Sequence, residues 1–310
     1  MRTVDAGGLI LPSPGPGPEA GMPGAVSVAS ARAGIGRWWR RFARSRGAVF
    51  GLTVFLAMVA LAALADFVAP YDPLAQGVGP PLEGPSRAHW AGTDSFGRDI
   101  LSRIIHGARI ALLVGILSVL MSLVVGVTLG LIAGYYGGVL DALVMRVMDG
   151  LFAFPVIFLA IATMAIMGFG VTNVIVAVAV GFVPPFARVT RGDVLAVKEE
   201  PYIEAARLAG VRNLTIIFRH VLPNVLAPII VQGALYVSGA ILTEAGLSFL
   251  GLGPPPPTPV WGSMIAEGRN FIVMAPHVST IPGIALTLTV VGLNLFGDGL
   301  RDTLDPRLRR

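Results

Sequence analysis

The chain has 310 residues, of which 54% are hydrophobic and 13% are charged, about half the charged fraction of an average protein. This composition excludes an ordinary soluble domain, because most of the surface must face something other than water. The net charge of +5 does not indicate nucleic-acid binding, because the basic residues lie at the ends of apolar segments rather than on one face. The absence of cysteine excludes disulfides and thiolate metal sites.

The N-terminal part of the chain is predicted to end in a first membrane span. Residues 1–31 are rich in Pro, Gly, Ala and Ser and are expected to form a disordered tail, because they bury too little apolar area to offset the entropy of ordering. A basic surface segment and the first transmembrane helix follow within residues 32–69. Gly47 to Ala65 is uncharged and long enough to span a bilayer. Ala63-Leu64-Ala65 is similar to a signal-peptidase site, but the apolar run is longer than that of a signal peptide, so we expect no cleavage.

A polar outer loop is predicted for residues 70–106. It ends in the passage GTDSFGRDILSRIIHGAR, in which Asp94 or Ser95 can cap a helix, and Asp99 and Arg103 have the spacing of an i, i+4 ion pair. We expect a short amphipathic helix on the outer surface. The passage strongly resembles the outer loop of the C-type permease subunits of dipeptide and oligopeptide ABC importers.

Five further spans are predicted within a core of residues 107–303, followed by a cytoplasmic C-terminal tail of residues 304–310. In the second span, Gly126, Gly130 and Gly134 recur at every fourth position, a spacing that allows two helices to touch backbone to backbone. The predicted spans of the core are residues 110–134, 150–168, 171–187, 225–250 and 278–296.

Proline residues interrupt two of these spans. Pro155 lies inside the third, and Pro184-Pro185 in the fourth predicts a kink or a break. The charges at the inner end of the third span are expected to form local ion pairs; they are Asp141, Arg146 and Asp149.

A long cytoplasmic loop is predicted for residues 188–223 and contains the polar passage EEPYIEAARLAGVRNLTIIFRHVLPN. Pro201 suits the first position of a helix, and Gly210 predicts a left-handed stop. Asn213 is a candidate cap for a second helix that ends before Pro223. In the first helix, one face is predicted to carry a tyrosine and three alanines, which let another surface approach closely; they are Tyr202, Ala205, Ala206 and Ala209.

This passage resembles the EAA loop of bacterial ABC-importer permease subunits, which contacts the ATP-hydrolysing subunit. The resemblance rests on Glu204-Ala205-Ala206, on Gly210 and on Leu222-Pro223. His220 stands where the family pattern has an isoleucine, which we interpret as variation within the peptide-importer branch. The alternative is an amphipathic loop helix that lies on the bilayer or on its own bundle. The resemblance implies ATPase-coupling roles for Tyr202, Glu204, Ala205, Ala206, Arg207, Ala209 and Gly210.

The distribution of basic residues gives an independent prediction of orientation. With six spans, seventeen lysines and arginines flank the spans on the side of the termini and of the long loop, against five on the other side. The positive-inside rule therefore places both termini and the EAA-like loop in the cytoplasm.

Together, these observations predict an all-α polytopic membrane protein with six transmembrane helices. The resemblance implies a type I ABC-importer permease in the inner membrane, which moves substrate by alternating access. It also implies a second permease subunit in a heterodimer, two cytoplasmic ATPase subunits and an extracytoplasmic substrate-binding protein. The implied substrate is a di- or oligopeptide, with nickel chelates, haem and sugars as alternatives.

The sequence offers little chemistry of its own. The only lysine is Lys198, outside any P-loop motif, and the four histidines are scattered, so we expect no ATP hydrolysis, no metal and no cofactor. Glu244 is the only charge in the fifth span; it is a candidate pathway residue or an outer-end residue that pairs with the outer loop. Two rival functions remain open, namely a proton-coupled secondary transporter that uses Glu244 and an intramembrane hydrolase around Ser248.

Overall fold

The computed structural model describes Arg40 and residues 42–304. The predicted disordered tail, most of the basic surface segment and residues 305–310 lie outside the described residues. The chain divides into two units between Arg40 and Arg41, and the helices belong to the second unit.

The described part of this unit is built from helices, as predicted, with an isolated β-bridge between Thr93 and Asp99. A π-helical turn joins α8 to α9. In chain order the elements are α1 (Arg46–Ala63), α2 (Ala65–Val68), α3 (Ile100–Tyr136), α4 (Gly138–Phe152), α5 (Val156–Met167), α6 (Val171–Lys198), α7 (Pro201–Leu208), α8 (Asn213–Ile216), the π-turn (Ile217–Val221), α9 (Leu222–Phe249), α10 (Trp261–Arg269) and α11 (His277–Leu304).

Among the described residues, five helical rods are long and apolar enough to cross a membrane: α1, α3, α6, the continuous rod Asn213–Phe249, and α11. The pair α4 and α5 makes a sixth candidate span that is bent by 94°. The bend lies at Pro155, which immediately precedes α5 and has an extended ψ of 140°. The predicted six spans are therefore present when the bent pair is counted as one, and the third span turns where its proline predicted an interruption.

The helices α3 and α6 pack backbone to backbone through the predicted glycine face. A Cβ atom on Gly126 would lie 2.7 Å from the carbonyl oxygen of Val183, and one on Gly134 would lie 2.8 Å from the Val194 side chain. The hydroxyl of Ser122 also donates a hydrogen bond of 2.9 Å to the Ala179 carbonyl oxygen. These contacts confirm that the small residues bring two spans together.

Of the kink or break predicted at Pro184-Pro185, the break is wrong, because α6 continues as one helix through both prolines. The kink stays a prediction. Pro184 and the adjoining Phe186 are buried, and the glycines of α3 lie directly against this level of α6. Neighbouring helices commonly hold a membrane helix together where a proline removes a backbone donor. The contact with α3 therefore maintains the helix that local sequence disfavours.

The separate amphipathic surface helix predicted after residue 92 is also wrong. The chain instead makes a buried turn at Asp94, whose Oδ1 accepts from the backbone N–H of Phe96 at 2.8 Å. The helix α3 then begins at Ile100 and runs without a break into the second span. Its cap is Asp99, which accepts from Ser102 N at 2.8 Å, rather than Asp94 or Ser95. The helix thus crosses residue 106, where the sequence placed the end of the outer loop.

Ion pairs join this outer segment to distant elements instead of running along one helix. Arg98 binds Asp94 at 2.6 Å and Glu267 of α10 at 2.8 Å. Arg103 lies 3.7 Å from Asp94, which corrects its predicted pairing with Asp99. Asp94, Arg98 and Arg103 are buried, and Glu267 is partly buried, between the loop and α10. An i, i+4 pair on an exposed helix face would instead lie in solvent.

The acids near the third span likewise pair between helices rather than locally. Asp141 and Asp149 of α4 bind Arg191 and Arg188 of α6, respectively. The expectation of local pairs was wrong because α4 packs against α6, so that arginines some 40 to 50 residues away in sequence come closer than those on α4 itself.

Candidate functional site

The passage that resembles an EAA loop forms a short, separate helix between two long rods. Helix α7 begins at Pro201, after Glu200 in an extended conformation. It ends in a Schellman motif, in which Gly210 N–H donates to the Arg207 carbonyl at 3.0 Å and Val211 N–H donates to the Ala206 carbonyl at 3.1 Å. Gly210 has a φ of 75°. The predicted first residue and left-handed stop of this helix are confirmed.

One side of α7 anchors it and the other side is exposed. Ile203 is completely buried in the apolar core, and Ala206 is half-buried against that core. Leu208 is 84% exposed and Tyr202 44% exposed. The remaining predicted coupling residues are also exposed; they are Glu204, Ala205, Arg207, Ala209 and Gly210.

The predicted alanine face is therefore divided between the two sides. Ala206 turns toward the core, and Tyr202, Ala205 and Ala209 stay on the free surface. Because alanine projects only a methyl group, the backbone of α7 remains accessible between Tyr202 and Ala209. A groove on another subunit can approach this helix closely.

The second helix of the passage differs from the prediction. Asn213 is the first residue of α8, and the preceding Arg212 occupies the cap position without a side-chain cap hydrogen bond. The helix does not end before Pro223. It continues through the π-turn into α9, where Pro223 lies in the first turn and its missing donor is tolerated. The loop is thereby joined directly to the fifth span.

A tyrosine that sequence reasoning did not single out contacts this passage from α3. The Tyr135 hydroxyl donates to Oδ1 of Asn213 at 2.9 Å, and the Arg207 guanidinium carbon lies 5.2 Å from the centre of the Tyr135 ring. Asn213 therefore binds a side chain of another helix instead of capping its own. The signal in the sequence was weak, since Tyr135 and Asn213 are 78 residues apart.

Glu244 lies far from this passage, toward the other end of the same rod. It follows Leu222 by 22 residues, roughly 33 Å along a helix. Its side chain is buried, with 1% exposure, and Ser248 donates a hydrogen bond of 2.6 Å to Oε1. Gly253 and Gly262 pack tightly on Ser248, so α10 and the preceding loop cover this part of α9.

A buried polar cluster at the start of α3 was missed by sequence reasoning. His89 Nδ1 lies 3.0 Å from Asp99 Oδ1, and Ser102 donates both its backbone N–H and its hydroxyl to the other oxygen of Asp99 at 2.8 Å. On the neighbouring α2, a hydrogen bond from Arg109 lowers the pKa of Asp66 below its ordinary value. The predicted surface position of GTDSFGRD is wrong, because tertiary packing buries Asp94, Arg98 and Asp99.

The described part of the chain contains no group of three or more His, Cys, Asp or Glu side chains that could hold a metal ion.

A cavity lies beside Ser248, where α10 and the preceding loop cover α9, and has a volume of about 370 Å³. Its wall is mostly apolar, and Glu267 supplies a carboxylate that is already paired with Arg98.

Comparisons with known families match both halves of the chain. Residues 126–310 match the family described as binding-protein-dependent transport system inner membrane component. Residues 35–85 match the N-terminal TM domain of oligopeptide transport permease C. The first match includes α7 and every residue of the passage around it.

Curated relatives cover most of the chain. It is 51% identical to the glutathione transport system permease protein GsiD of Pectobacterium atrosepticum, over 88% of this chain and 91% of the relative. It is 46% identical to the di/tripeptide transport system permease protein DppC of Pseudomonas aeruginosa, over 88% and 92%. It is 42% identical to the dipeptide transport system permease protein DppC of Alkalihalophilus pseudofirmus, over the full length of both.

Among solved structures, the chain is similar to one from the inward-facing MetNI methionine ABC transporter in its native crystal form. The TM-score is 0.53 at 21% identity, over 66% of this chain and 97% of the other. This likeness concerns the fold. None of these comparisons supports the proton-coupled transporter or the intramembrane hydrolase.

Proposed function

The chain belongs to the family of binding-protein-dependent transport system inner membrane components, and we propose that its α7 helix couples ATP hydrolysis to the movement of a peptide across the membrane. As a member of this family, the protein is a multi-pass permease subunit of an ABC importer in the inner membrane. It is a transporter subunit and not an enzyme, and proteins of this kind act together with ATPase, permease and binding-protein subunits.

The proposed substrate is a di- or oligopeptide. Support comes from the relatives, whose names specify glutathione, di- and tripeptides, and dipeptides. All three are short peptides, which argues against the nickel chelates, haem and sugars that the sequence left open. Within this class, the proposed choice of peptide rests with a separate extracytoplasmic binding protein.

The proposed assembly contains this chain, a second permease subunit in a heterodimer, two cytoplasmic ATPase subunits and the binding protein. Its orientation follows from the basic residues, which are concentrated on the side of the α7 loop. The loop and both termini are therefore proposed to lie in the cytoplasm, where ATP is available.

The observation that carries the coupling role is the division of α7 into an anchored side and a free side. Ile203 fixes the helix to the rods, and Ala205 and Ala209 leave its backbone open to a partner. When ATP closes the ATPase dimer, α7 moves with the groove that holds it. Because α6 precedes the helix and the α8–α9 rod follows it, both spans are drawn along, and access changes from one side to the other.

The proposed contacts differ in character along α7. Tyr202 supplies a bulky anchor, and Glu204 and Arg207 supply charges of opposite sign on the exposed surface. Ala205 and Ala209 permit close approach, Ala206 joins this surface to the core, and Gly210 ends the helix.

Glu244 stays a candidate pathway residue, which a substrate amine can reach only after the covering loop and α10 move aside.

The experiment that tests the coupling role is Ala205→Glu in the full complex. A carboxylate in place of the methyl group should prevent the close approach, so that the ATPase subunits no longer co-purify while the permease is still inserted. Ala88→Glu is a matched control, because Ala88 is an exposed alanine of the outer loop. Co-purification of the ATPase subunits with the Ala205→Glu variant at the level of the control would refute the role.

A further inference from the structure

A single side chain at the end of α3 touches both arms of the α7 loop. Tyr135 is 5% exposed. Its ring lies under Arg207, in the last turn of α7, and its hydroxyl binds Asn213, the first residue of α8. The two partners stand on opposite sides of the Gly210 turn. Tyr135 belongs to α3 and not to the loop, and it therefore connects the end of α7 to the start of α8 from outside the loop.

The covalent chain does not connect α3 to this loop, which makes the contact informative. The loop continues α6 on one side and the α8–α9 rod on the other. A force on α7 reaches these two rods through peptide bonds, but it can reach α3 only through packing or hydrogen bonds. Directly after Tyr136 the chain turns away at Gly137 and Gly138, whose φ values are 67° and 60°.

The helix that carries Tyr135 near its end is also the one that lies against α6 along the glycine face. A displacement of the loop that moved α6 but not α3 would have to slide the two backbones past each other. Packed interfaces of this kind resist continuous sliding and favour discrete arrangements. A direct link between the loop and the end of α3 removes this conflict, because both helices then receive the same displacement.

We propose that Tyr135 is a positioning residue that ties the coupling loop to α3, so that α3, α6 and α9 move together when α7 is displaced. This inference rests on the proposed coupling role of α7. The hydroxyl holds the start of α8 through Asn213, and the ring holds the end of α7 through Arg207. The hydrogen bond orients the Tyr135 hydroxyl toward Asn213, and burial of the ring fixes the position of the side chain.

The neighbouring Tyr136 provides a built-in comparison. It belongs to the same turn of α3, but it is 50% exposed, and its ring packs edge-on against that of Tyr135 at 5.3 Å. Removal of its hydroxyl leaves the bond to Asn213 intact. Tyr136→Phe is therefore the matched control for Tyr135→Phe.

The absence of cysteine from the chain permits a direct test by spin labelling. Labels on Leu214→Cys, an exposed residue of α8 that lies outside α7, and Thr128→Cys, on the exposed side of α3, report the distance between the loop and α3. The measurement uses the full complex with its ATPase subunits in lipid nanodiscs, without nucleotide and with ATP under non-hydrolysing conditions. It needs no knowledge of the transported peptide.

We expect the distance between the labels to be the same in both nucleotide states of the parent complex and of Tyr136→Phe. In Tyr135→Phe the nucleotide-free distance should stay unchanged, but ATP should shift it by about 2 Å or more, which exceeds the ordinary fluctuation of a rigid backbone. Asn213→Ala should give the same shift, and the double variant no larger one, because both changes remove one hydrogen bond. Asn213→Asp retains an acceptor and should behave like the parent.

An equal distance in both states of Tyr135→Phe would overturn the inference. A nucleotide-free distance that is already altered, together with lower thermal stability, would overturn it too, because Tyr135 would then be a structural anchor only. Additive shifts in the double variant would show that the hydrogen bond is not the link. Failure of the coupling role itself is separate, since it appears as retained ATPase binding in Ala205→Glu.

Discussion

Arg191 of α6 binds Asp141 of α4 through two hydrogen bonds, from Nε at 2.5 Å and from Nη2 at 2.6 Å. Both side chains are partly sheltered from solvent. The pair lies where the bent third span meets the helix that leads into the α7 loop. Bidentate pairs of this kind are among the stronger polar contacts in proteins.

We predict that Arg191→Gln destabilises the purified permease by about 1–2 kcal/mol, because glutamine carries no charge and cannot form the bidentate pair with Asp141 in this partly buried site. Thermal unfolding in detergent measures this effect. Arg188→Gln is the matched control, since its pair with Asp149 is largely exposed and exposed pairs contribute little. An effect of Arg188→Gln as large as that of Arg191→Gln would contradict the prediction.

The contact between α3 and α6 predicts strong sensitivity at Gly130. A Cβ atom there would lie 2.5 Å from the Ala187 carbonyl oxygen and 2.7 Å from the Thr190 side chain. We expect Gly130→Ala to lower stability by about 1–3 kcal/mol, the usual range for overpacking. Gly150→Ala in α4 should be neutral or slightly stabilising, because nothing lies within 4 Å of its added Cβ. A Gly130→Ala variant as stable as Gly150→Ala would show that the two backbones are not in contact.

Substitution of Glu244 tests its candidate role in the pathway. Glu244→Gln keeps the shape and the acceptor for Ser248 but removes the carboxylate. A pathway role predicts that uptake of a radiolabelled dipeptide into cells falls by about tenfold or more at normal expression, while the ATPase subunits still co-purify. Ser248→Ala is the control, because it removes the hydrogen bond between the two side chains and keeps the acid. Full uptake by Glu244→Gln would end the pathway hypothesis.

Local sequence was sufficient for the features that depend on neighbours along the chain. The limits of α7 at Pro201 and Gly210 follow from the backbone preferences of proline and glycine. The close approach of another helix to α3 follows from glycines at every fourth residue, although the identity of that helix as α6 does not. Both predictions depend on residues within one or two turns of helix, so contacts with distant parts of the chain do not alter them.

The features that sequence reasoning missed depend on which helices become neighbours. The unbroken α6 at Pro184-Pro185 is maintained by contacts with α3, and the buried turn at Asp94 depends on Arg98 and α10. Asn213 has the residue type of a cap, but Tyr135 competes for its side chain. In each case a partner distant in sequence decides the outcome, and periodicity contains no information about that partner.

Helix α3 has 37 residues and is therefore about 55 Å long, nearly twice the thickness of a bilayer's hydrocarbon core. Its Asp99 end is fastened to the loops on one side of the membrane, and its Tyr135 end to the loop on the other. Because α3 is one uninterrupted helix that extends beyond the hydrocarbon core on both sides, it cannot tilt at one end only. A force that displaces the Tyr135 end therefore displaces the Asp99 end in the opposite direction, which makes simultaneous opening on both sides of the membrane geometrically unfavourable.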